Sequence, residues 1–307
     1  MGKNKITIGI DGGDFVPGSQ VASGIQRIVS SFLKEIEKFK SIKNNYYYFG
    51  RGGLPTRLFS SFYLPRQFIK DNSQIFLGFS GVIPALLRYH PCLKVVFLYD
   101  IGFLKYPRFY LNSKRLAENT AKAVKYSDKI IVLSNYARKE LIRYFPAAAK
   151  KAIVIYPGAN HLPGFKKNKN IYGQYLLYVG VIKPIKSIAK VLNYLESRTY
   201  RKHKLLLVGK KEEEYFAKII NSKEYQNVKE RVVFIENATD RELTNYYINC
   251  EAVVNFSHEE GLCFPVLEAM KLGKRIIANS LPVYKELDPS VTWYDFTSKL
   301  VRIISKL

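Results

Sequence analysis

Cysteine is nearly missing from this chain, and what there is forms no pattern. Cys92, Cys250 and Cys263 are odd in number, far apart and without metal-ligand spacing. Reduced thiols are therefore expected, with neither a disulfide framework nor a zinc site. Long apolar runs are missing too. None reaches membrane-spanning length, and Met1-Gly2-Lys3-Asn4-Lys5 leads straight into the strand-like Ile6-Thr7-Ile8-Gly9-Ile10 without a hydrophobic leader, so a cytoplasmic protein is expected. There is no internal repeat or low-complexity tract. Disorder is excluded by composition: 47% of the residues are apolar and 24% charged, as in folded soluble chains, and 307 residues suffice for two domains with separate cores.

Acidic residues are the other shortage. Lys and Arg number 49 against 25 Asp and Glu, a formal net charge of +24. The excess is uneven: residues 1–164 hold 25 basic against 9 acidic side chains, and the remainder 24 against 16. Clusters such as Lys34/Lys38/Lys40/Lys43, Arg108/Lys114/Arg115 and Lys122/Lys125/Lys129 are interleaved with Tyr and Phe. Basic and aromatic surface suits an anionic membrane, a solvated solubilising face, or nucleic acid. Nucleic acid is the weakest of the three, because it explains none of the motifs below.

Apolar runs alternate with amphipathic stretches along the whole chain, the pattern of parallel sheets covered on both faces. Strands are predicted near residues 6–10, 46–49, 75–79, 94–98, 129–133 and 152–156, with helices near 25–39, 113–126 and 136–144. A polar, Pro- and Gly-containing stretch at 157–164, continuing through 166–170, reads as an interdomain linker. Strands then resume near 175–179, 204–208, 231–235, 252–256 and 275–278. The fold class predicted is α/β, with two Rossmann-like, doubly wound parallel-sheet domains: 1–163, and 164–307.

The densest motif is Ser257-His258-Glu259-Glu260-Gly261-Leu262-Cys263-Phe264-Pro265-Val266-Leu267-Glu268-Ala269-Met270. With Pro265 in a first helical turn, where its missing N–H costs nothing, Glu260 falls on the loop and Glu268 about one turn into the helix. Two carboxylates then face one cleft. Helix N-terminal amides favour an anion such as a diphosphate, and carboxylates accept from sugar hydroxyls.

This stretch resembles the Glu-x7-Glu signature of family 4 of the retaining glycosyltransferases, with Glu260 and Glu268 as its two glutamates. Val232-Val233-Phe234-Ile235, Asp240-Arg241-Glu242-Leu243 and Ala252-Val253-Val254-Asn255-Phe256-Ser257 follow that family's approach to the motif, and Gly273-Lys274-Arg275-Ile276-Ile277-Ala278 its continuation. The resemblance implies a GT-B fold, two such domains facing a central cleft. It also implies transfer of a hexosyl group, with retention, from a nucleotide-diphosphate sugar to a glycan or lipid-linked acceptor. A mannosyl donor is favoured, and neither cofactor nor metal is expected.

Roles follow by the same resemblance. Glu260 would hold the donor sugar hydroxyls and Glu268 the ribose. Lys186 and the helix N-terminal amides near Phe264–Leu267 would face the diphosphate, with Gly261, Phe264, Pro265, Val266 and Leu267 forming the binding elbow. Gly24 and Arg27 match the family's glycine-rich loop after the first strand, although no G-x-G-x-x-G is present. Tyr99 and Asp100 stand at the family's His-Asp strand end, so a phenol replaces the usual imidazole. Val181 stands where Arg is frequent, with Lys183 as a substitute charge, and Cys263 replaces a common glycine, either crowding the sugar or packing inward. Glu259 competes for the first glutamate but has the wrong interval. Ser134 reads as a helix N-cap, and His258 as a loop residue.

The chain stops near residues 296–307, where family members continue into a long tail that crosses back to the first domain. Either the enzyme is a compact version or a partner subunit supplies the brace. The rival reading is a catalytically weak homologue, a sugar-nucleotide-binding or scaffold subunit of a glycan-assembly complex. An acceptor presented at a membrane would place the protein peripherally at the inner face.

Overall fold

The structure, a computed structural model, describes residues 5–18, 23–49, 55, 58–162 and 170–306. The chain divides into two compact units. One comprises Met1–Lys105, Asn112–Gly158 and Val291–Leu307; the other comprises Tyr106–Leu111 and Ala159–Ser290. The division predicted at 163/164 thus differs by five residues, and residues 163–169 of the expected linker lie outside the described residues, as do 1–4.

In the first unit the described strands are β1 (Ile6–Asp11), β2 (Ile42–Tyr47), β3 (Ile75–Gly78), β4 (Leu93–Phe97), β5 (Lys129–Val132) and β6 (Ala152–Val154). They form one parallel sheet in the order β2-β1-β3-β4-β5-β6. Every residue of β3 is buried, as expected of a central strand covered on both faces. Four helices flank these strands in sequence: α1 (Gly24–Ile36), α2 (Leu64–Lys70), α3 (Ser113–Tyr126) and α4 (Asn135–Tyr144). Ser23 caps α1 by accepting from Gln26 N (3.2 Å), and the helix buries Ile28, Val29, Phe32 and Ile36 along one face. Ser134 caps α4 through Ala137 N (3.0 Å), the role its sequence position suggested.

Two elements depart from the sequence reading. β2 begins at Ile42, four residues before the predicted strand, because the edge strand carries Lys43-Asn44-Asn45 and only Ile42 and Tyr47 are buried. Helix α2 carried no prediction; Pro65 in its first turn is compatible with a helix start.

The C-terminal helix, Trp293–Ile304, belongs to the first unit. Trp293, Phe296, Leu300, Val301 and Ile304 are buried, a helical stripe, and Phe296 lies against Phe97 (ring centroids 6.1 Å). Phe97 in turn stacks on Phe79 at 4.4 Å. Gly158 is required here, since a β-carbon on it would lie 2.3 Å from Trp293 N. This last helix, amphipathic and short, thus belongs to the first unit although it follows the second in sequence.

The second unit contains β7 (Tyr175–Val179), α5 (Ile188–Leu195), β8 (Lys204–Val208), α6 (Glu213–Ile220), β9 (Val232–Ile235), α7 (Asp240–Asn249), β10 (Ala252–Asn255), α8 (Phe264–Lys271) and β11 (Arg275–Ala278). Its described strands pair in parallel in the order β11-β10-β7-β8-β9. One side of the sheet packs Leu176, Leu205, Leu207 and Val254 against α5; the other packs Leu177, Leu206 and Val253 against α7. In both units the strand order reverses once, between β1 and β3 and between β7 and β10. In open α/β sheets ligands bind beyond the carboxyl ends of the strands at such a reversal.

Candidate active site

The reversal in the second unit lies between the loops that follow β7 and β10. The first of these runs through Gly180 to Ser187 and carries Lys186 on a single 3-10 turn, Pro184–Lys186. Gly180 approaches the loop after β8 so closely that a β-carbon on Gly209 would lie 2.3 Å from Gly180 O. The second loop carries Ser257 and Glu260. The two loops are joined by His258 N–H, which donates to Ile185 O (2.9 Å), and by an ion pair between Lys186 Nζ and Glu260 Oε1. Ser257 Oγ donates to the same carboxylate oxygen (2.7 Å). Both side chains of the pair are largely but not wholly buried, 17% and 11% exposed, so each charge is partly desolvated and held by the other.

A polar frame fixes the Glu260 loop from beneath. Asn255 Oδ1 accepts from Ser257 N (3.1 Å) and Tyr284 OH (3.0 Å), and Asn279 Nδ2 donates to Ser257 O (2.7 Å). Asn255 Nδ2 reaches Cys263 Sγ (3.3 Å). Cys263 has φ +82°, left-handed backbone that favours glycine, and its thiol is buried. Of the two alternatives posed for this residue, inward packing is the one observed. Burial, with the Glu260 charge nearby, pushes that thiol far above its usual range, so it is a packed neutral group.

Helix α8 begins at Phe264 with Pro265 in its first turn, as predicted. Leu267 N–H bonds to Cys263 O (3.2 Å), which commits that amide to the helix, and Pro265 has none to offer. The Val266 amide in turn bonds the Cys263 thiol, so the elbow's amide contribution is narrower than the motif suggested. Glu268 lies one turn in and is 3% exposed. Its Oε1 meets His161 Nε2 at 2.8 Å and its Oε2 accepts from Tyr247 OH at 2.5 Å. Burial and the Glu268 charge hold the Tyr247 phenol well above its usual range, so it remains a donor at ordinary pH. The two glutamates therefore have different partners: Lys186 and Ser257 for one, His161 and Tyr247 for the other.

The segment Tyr106–Leu111 joins this unit through aromatic contacts. Phe109 stacks on His258 (5.0 Å), Tyr106 lies 5.9 Å from the same ring, and Lys183 Nζ sits 5.6 Å over the Tyr110 ring. Burial first, then Lys190 and Arg108, pull the His258 imidazole below its usual range. His258 is thus more than a loop residue. Lys183 packs as a cation over an aromatic face, while Val181 contributes its carbonyl to Tyr178 OH (3.0 Å). Glu259 is buried, at 9% exposed.

The remaining predicted residues lie in the first unit. Gly24 opens α1 and is exposed; Arg27, one turn on, is buried. Across that unit's own strand reversal Asp11 Oδ2 accepts from Ser80 Oγ (2.5 Å), and its Oδ1 from Gly13 N (3.1 Å). Burial pushes the Asp11 carboxyl up to about 6 despite those two donors. Tyr99 OH donates to Phe79 O (2.9 Å), and burial followed by the Asp11 charge keeps the phenol far above its usual range. Asp100 is exposed and accepts from Gly102 N (3.1 Å) at the start of the helical turn Gly102–Lys105. Asp100 is placed as a cap, and Tyr99 as a group already engaged with backbone.

Sequence reasoning missed His161, Tyr247 and Ser257 as partners of the two glutamates. Ser257 stood inside the motif, and its hydroxyl three residues before Glu260 was a usable signal. His161 stood in the expected linker, 107 residues from its partner, and nothing local pointed to the contact.

Residues 164–287 match the family described as glycosyl transferases group 1. Over 210 residues, 64% of the chain, the sequence is 24% identical to the serotype-specific mannosyltransferase WbdA of Escherichia coli. The aligned part is 24% of that relative, so the chain spans well under its full length. Among solved structures, sucrose-phosphate synthase from Thermosynechococcus elongatus aligns over 98% of this chain and 90% of its own (TM-score 0.71, 16% identity). HepE of Anabaena, solved with UDP and glucose, aligns over 97% and 90% (TM-score 0.64, 15% identity).

Proposed function

We propose that this glycosyltransferase of GT-B fold transfers a hexosyl group, with retention, from a nucleotide-diphosphate sugar to a glycan or lipid-linked acceptor. The observation that carries the proposal is the Lys186–Glu260 pair across the β7/β10 strand reversal, with Ser257 on the same carboxylate oxygen. Without donor the two charges satisfy one another. An arriving diphosphate takes the ammonium's donors, and the carboxylate is released to the sugar hydroxyls, so charge is in place before it develops on the leaving group. Glu268 accepts from the nucleotide ribose. Lys186 and the first amides of α8 do the work a metal performs elsewhere, and no metal is needed in this scheme. WbdA's mannosyltransferase activity supports a mannosyl donor, and HepE's complex with UDP supports a nucleotide carrier.

The exposed side chains of Leu86, Tyr89 and Lys125, with the half-buried Arg88 and Tyr126 beside them, support an anionic membrane surface as the place where the acceptor is met. Tyr89 is 82% exposed, and Arg88 and Lys125 lie 5.7 and 5.1 Å from the Tyr126 ring. Among the described residues no helix is long and apolar enough to cross a membrane.

Calorimetric titration of UDP- and GDP-sugars into the wild type, Glu260→Gln and Lys186→Ala, with released nucleotide followed in the same samples, tests the proposal. One donor bound at micromolar concentration, turned over slowly and weakened at least tenfold by Lys186→Ala, is the expected result. No binding to any donor overturns it. The commitment of Tyr99 OH to Phe79 O favours the second reading, a sugar-nucleotide-binding or scaffold homologue. Donor binding without turnover, even with membrane extract as acceptor source, selects that reading.

A further inference from the structure

On the outer side of α7 the second unit carries a cleft of about 220 Å³ that shares no residue with the candidate active site. Helix α7 supplies one wall. Leu243, Thr244 and Tyr247 are its buried side, and Tyr247 is the partner of Glu268, so Arg241, Glu242, Asn245 and Tyr246 form the opposite side at helical spacing. The other wall is the turn that begins at Asn170, whose Oδ1 accepts from Tyr172 N (3.0 Å) and whose Nδ2 donates to Gly173 O (2.7 Å). Tyr175, the first residue of β7, lies beneath and donates from its hydroxyl to Tyr246 O (2.8 Å). Tyr172 meets Tyr175 and Tyr246 edge to face, with ring centroids 6.0 and 6.1 Å apart, and both Tyr172 and Tyr246 are half-buried.

Polar groups of both kinds stand beside these phenols. Arg241 is exposed and has no hydrogen-bond or ion-pair partner among the described residues, and a guanidinium carries only donors. Asn245 Oδ1 accepts from Asn249 Nδ2 (2.8 Å), so what Asn245 offers a ligand is its NH2. Glu242 is an acceptor fixed by the helix cap: Thr239 N and Oγ1 both donate to its Oε2 (2.8 and 2.7 Å), and these bonds draw its carboxyl below the ordinary value.

We propose that this cleft binds one hexose unit of a neutral glycan and is a docking site separate from the site of transfer. The source of that sugar, an acceptor chain, rests on the function proposed above. A sugar ring carries hydroxyls that donate and accept around an apolar C–H face. The cleft answers each part, with donors from Arg241 and Asn245, an acceptor from Glu242 and phenol rings for the C–H face. A free anion is the poorer match, because the Glu242 charge stands next to Arg241 and repels it. Size agrees: clefts that hold drug-sized ligands measure about 300–1,000 Å³, and this smaller one suits a single ring rather than a nucleotide-sugar. A chain held here has a raised effective concentration at the site of transfer, which favours long acceptors over short ones.

The test titrates short mannose, glucose and N-acetylglucosamine oligosaccharides into the wild type, Arg241→Ala, Tyr172→Ala and Glu260→Gln, followed by saturation-transfer NMR. UDP and GDP are titrated in parallel, and thermal melts confirm folding; Arg241 is exposed, so that variant keeps the fold even if Tyr172→Ala does not. One oligosaccharide series is expected to bind the wild type and Glu260→Gln alike. Arg241→Ala should weaken it about tenfold, the scale of a hydrogen bond to a charged group, and leave nucleotide binding unchanged. Tyr172→Ala should weaken it as well. If Glu260→Gln abolishes oligosaccharide binding while Arg241→Ala and Tyr172→Ala keep it, the glycan meets only the site of transfer, and the inference fails while the proposed function stands. Inorganic phosphate bound through Arg241 in place of any sugar marks an anion site and overturns the inference, as does the absence of oligosaccharide binding whether or not nucleotide binds. Sugar binding that depends on Arg241 in a protein that takes no nucleotide upholds the docking site and removes the transferase reading.

Discussion

Asp11 keeps a carboxyl 2% exposed at the end of β1, where burial pushes it from its ordinary 3.8 to about 6. The folded chain therefore holds a proton between about pH 4 and 6 that the unfolded chain has lost. This group's contribution is fully favourable below pH 4 and is lost as pH rises through 6, a change of about 3 kcal/mol for a two-unit shift. Asp11→Asn keeps the shape and can still meet Gly13 N and Ser80. Its stability relative to wild type should be near zero at pH 4 and rise to as much as about 3 kcal/mol at pH 8. Denaturant midpoints at the two pH values check this, and a difference independent of pH contradicts it. Cys263 offers a second inversion. At φ +82° a β-carbon costs about 1–2 kcal/mol, so Cys263→Gly should be more stable than Cys263→Ala, the reverse of the usual order, by about 1 kcal/mol in thermal melts. The elbow's glycine-like backbone was legible in the sequence only through family resemblance, because a cysteine gives no local sign of positive φ. Glu260 and Glu268 were legible because both lie within one short motif. His161 was not, because its contact is made by the fold rather than by neighbours in the chain.

The strands of the second unit were legible for a simple reason: a buried parallel strand is a short apolar run between polar breaks, and 175–179, 204–208 and 275–278 agree with β7, β8 and β11. β2 was not, since an edge strand can carry Lys-Asn-Asn and lose the pattern. The loops between strands carry the chemistry, and their shape depends on backbone approach. Gly180 and Gly209 show it, at φ +144° and +142° with their loops in contact. Gly209→Ala should force the loop after β7 outward and displace Lys186. We expect donor binding to weaken about tenfold or more, the scale of one misplaced charge-assisted hydrogen bond, while the sheet survives. Gly173→Ala is the control, since Gly173 also has positive φ (+74°) but a β-carbon there meets nothing within 4 Å. Equal losses of binding in the two variants would mean that general backbone strain, and not loop contact, controls the site.

At the scale of the molecule, charge and chain course both follow the two units more closely than the two halves of the sequence. By unit, 27 Lys and Arg stand against 10 Asp and Glu in the first and 22 against 15 in the second. The last helix adds two of those basic residues, Lys299 and Arg302, to the first unit, but its larger contribution is apolar. Phe296 is 1% exposed and touches both Phe97 and Trp293, the latter at 5.4 Å. Phe39 stacks on Tyr294 at 5.7 Å, so the helix also covers the end of α1. A large buried aromatic reduced to alanine leaves a cavity beside β4 that neighbours fill only in part, costing about 3–5 kcal/mol. Phe296→Ala should therefore destabilise the first unit, although the residue lies eleven from the C-terminus and follows all of the second unit in sequence. Hydrogen exchange distinguishes the possibilities. Protection should fall in β3, β4 and β5, which surround Phe97, while β7, β8 and β10 keep theirs. Loss of protection confined to the second unit would show that the C-terminal helix is not part of the first unit's core.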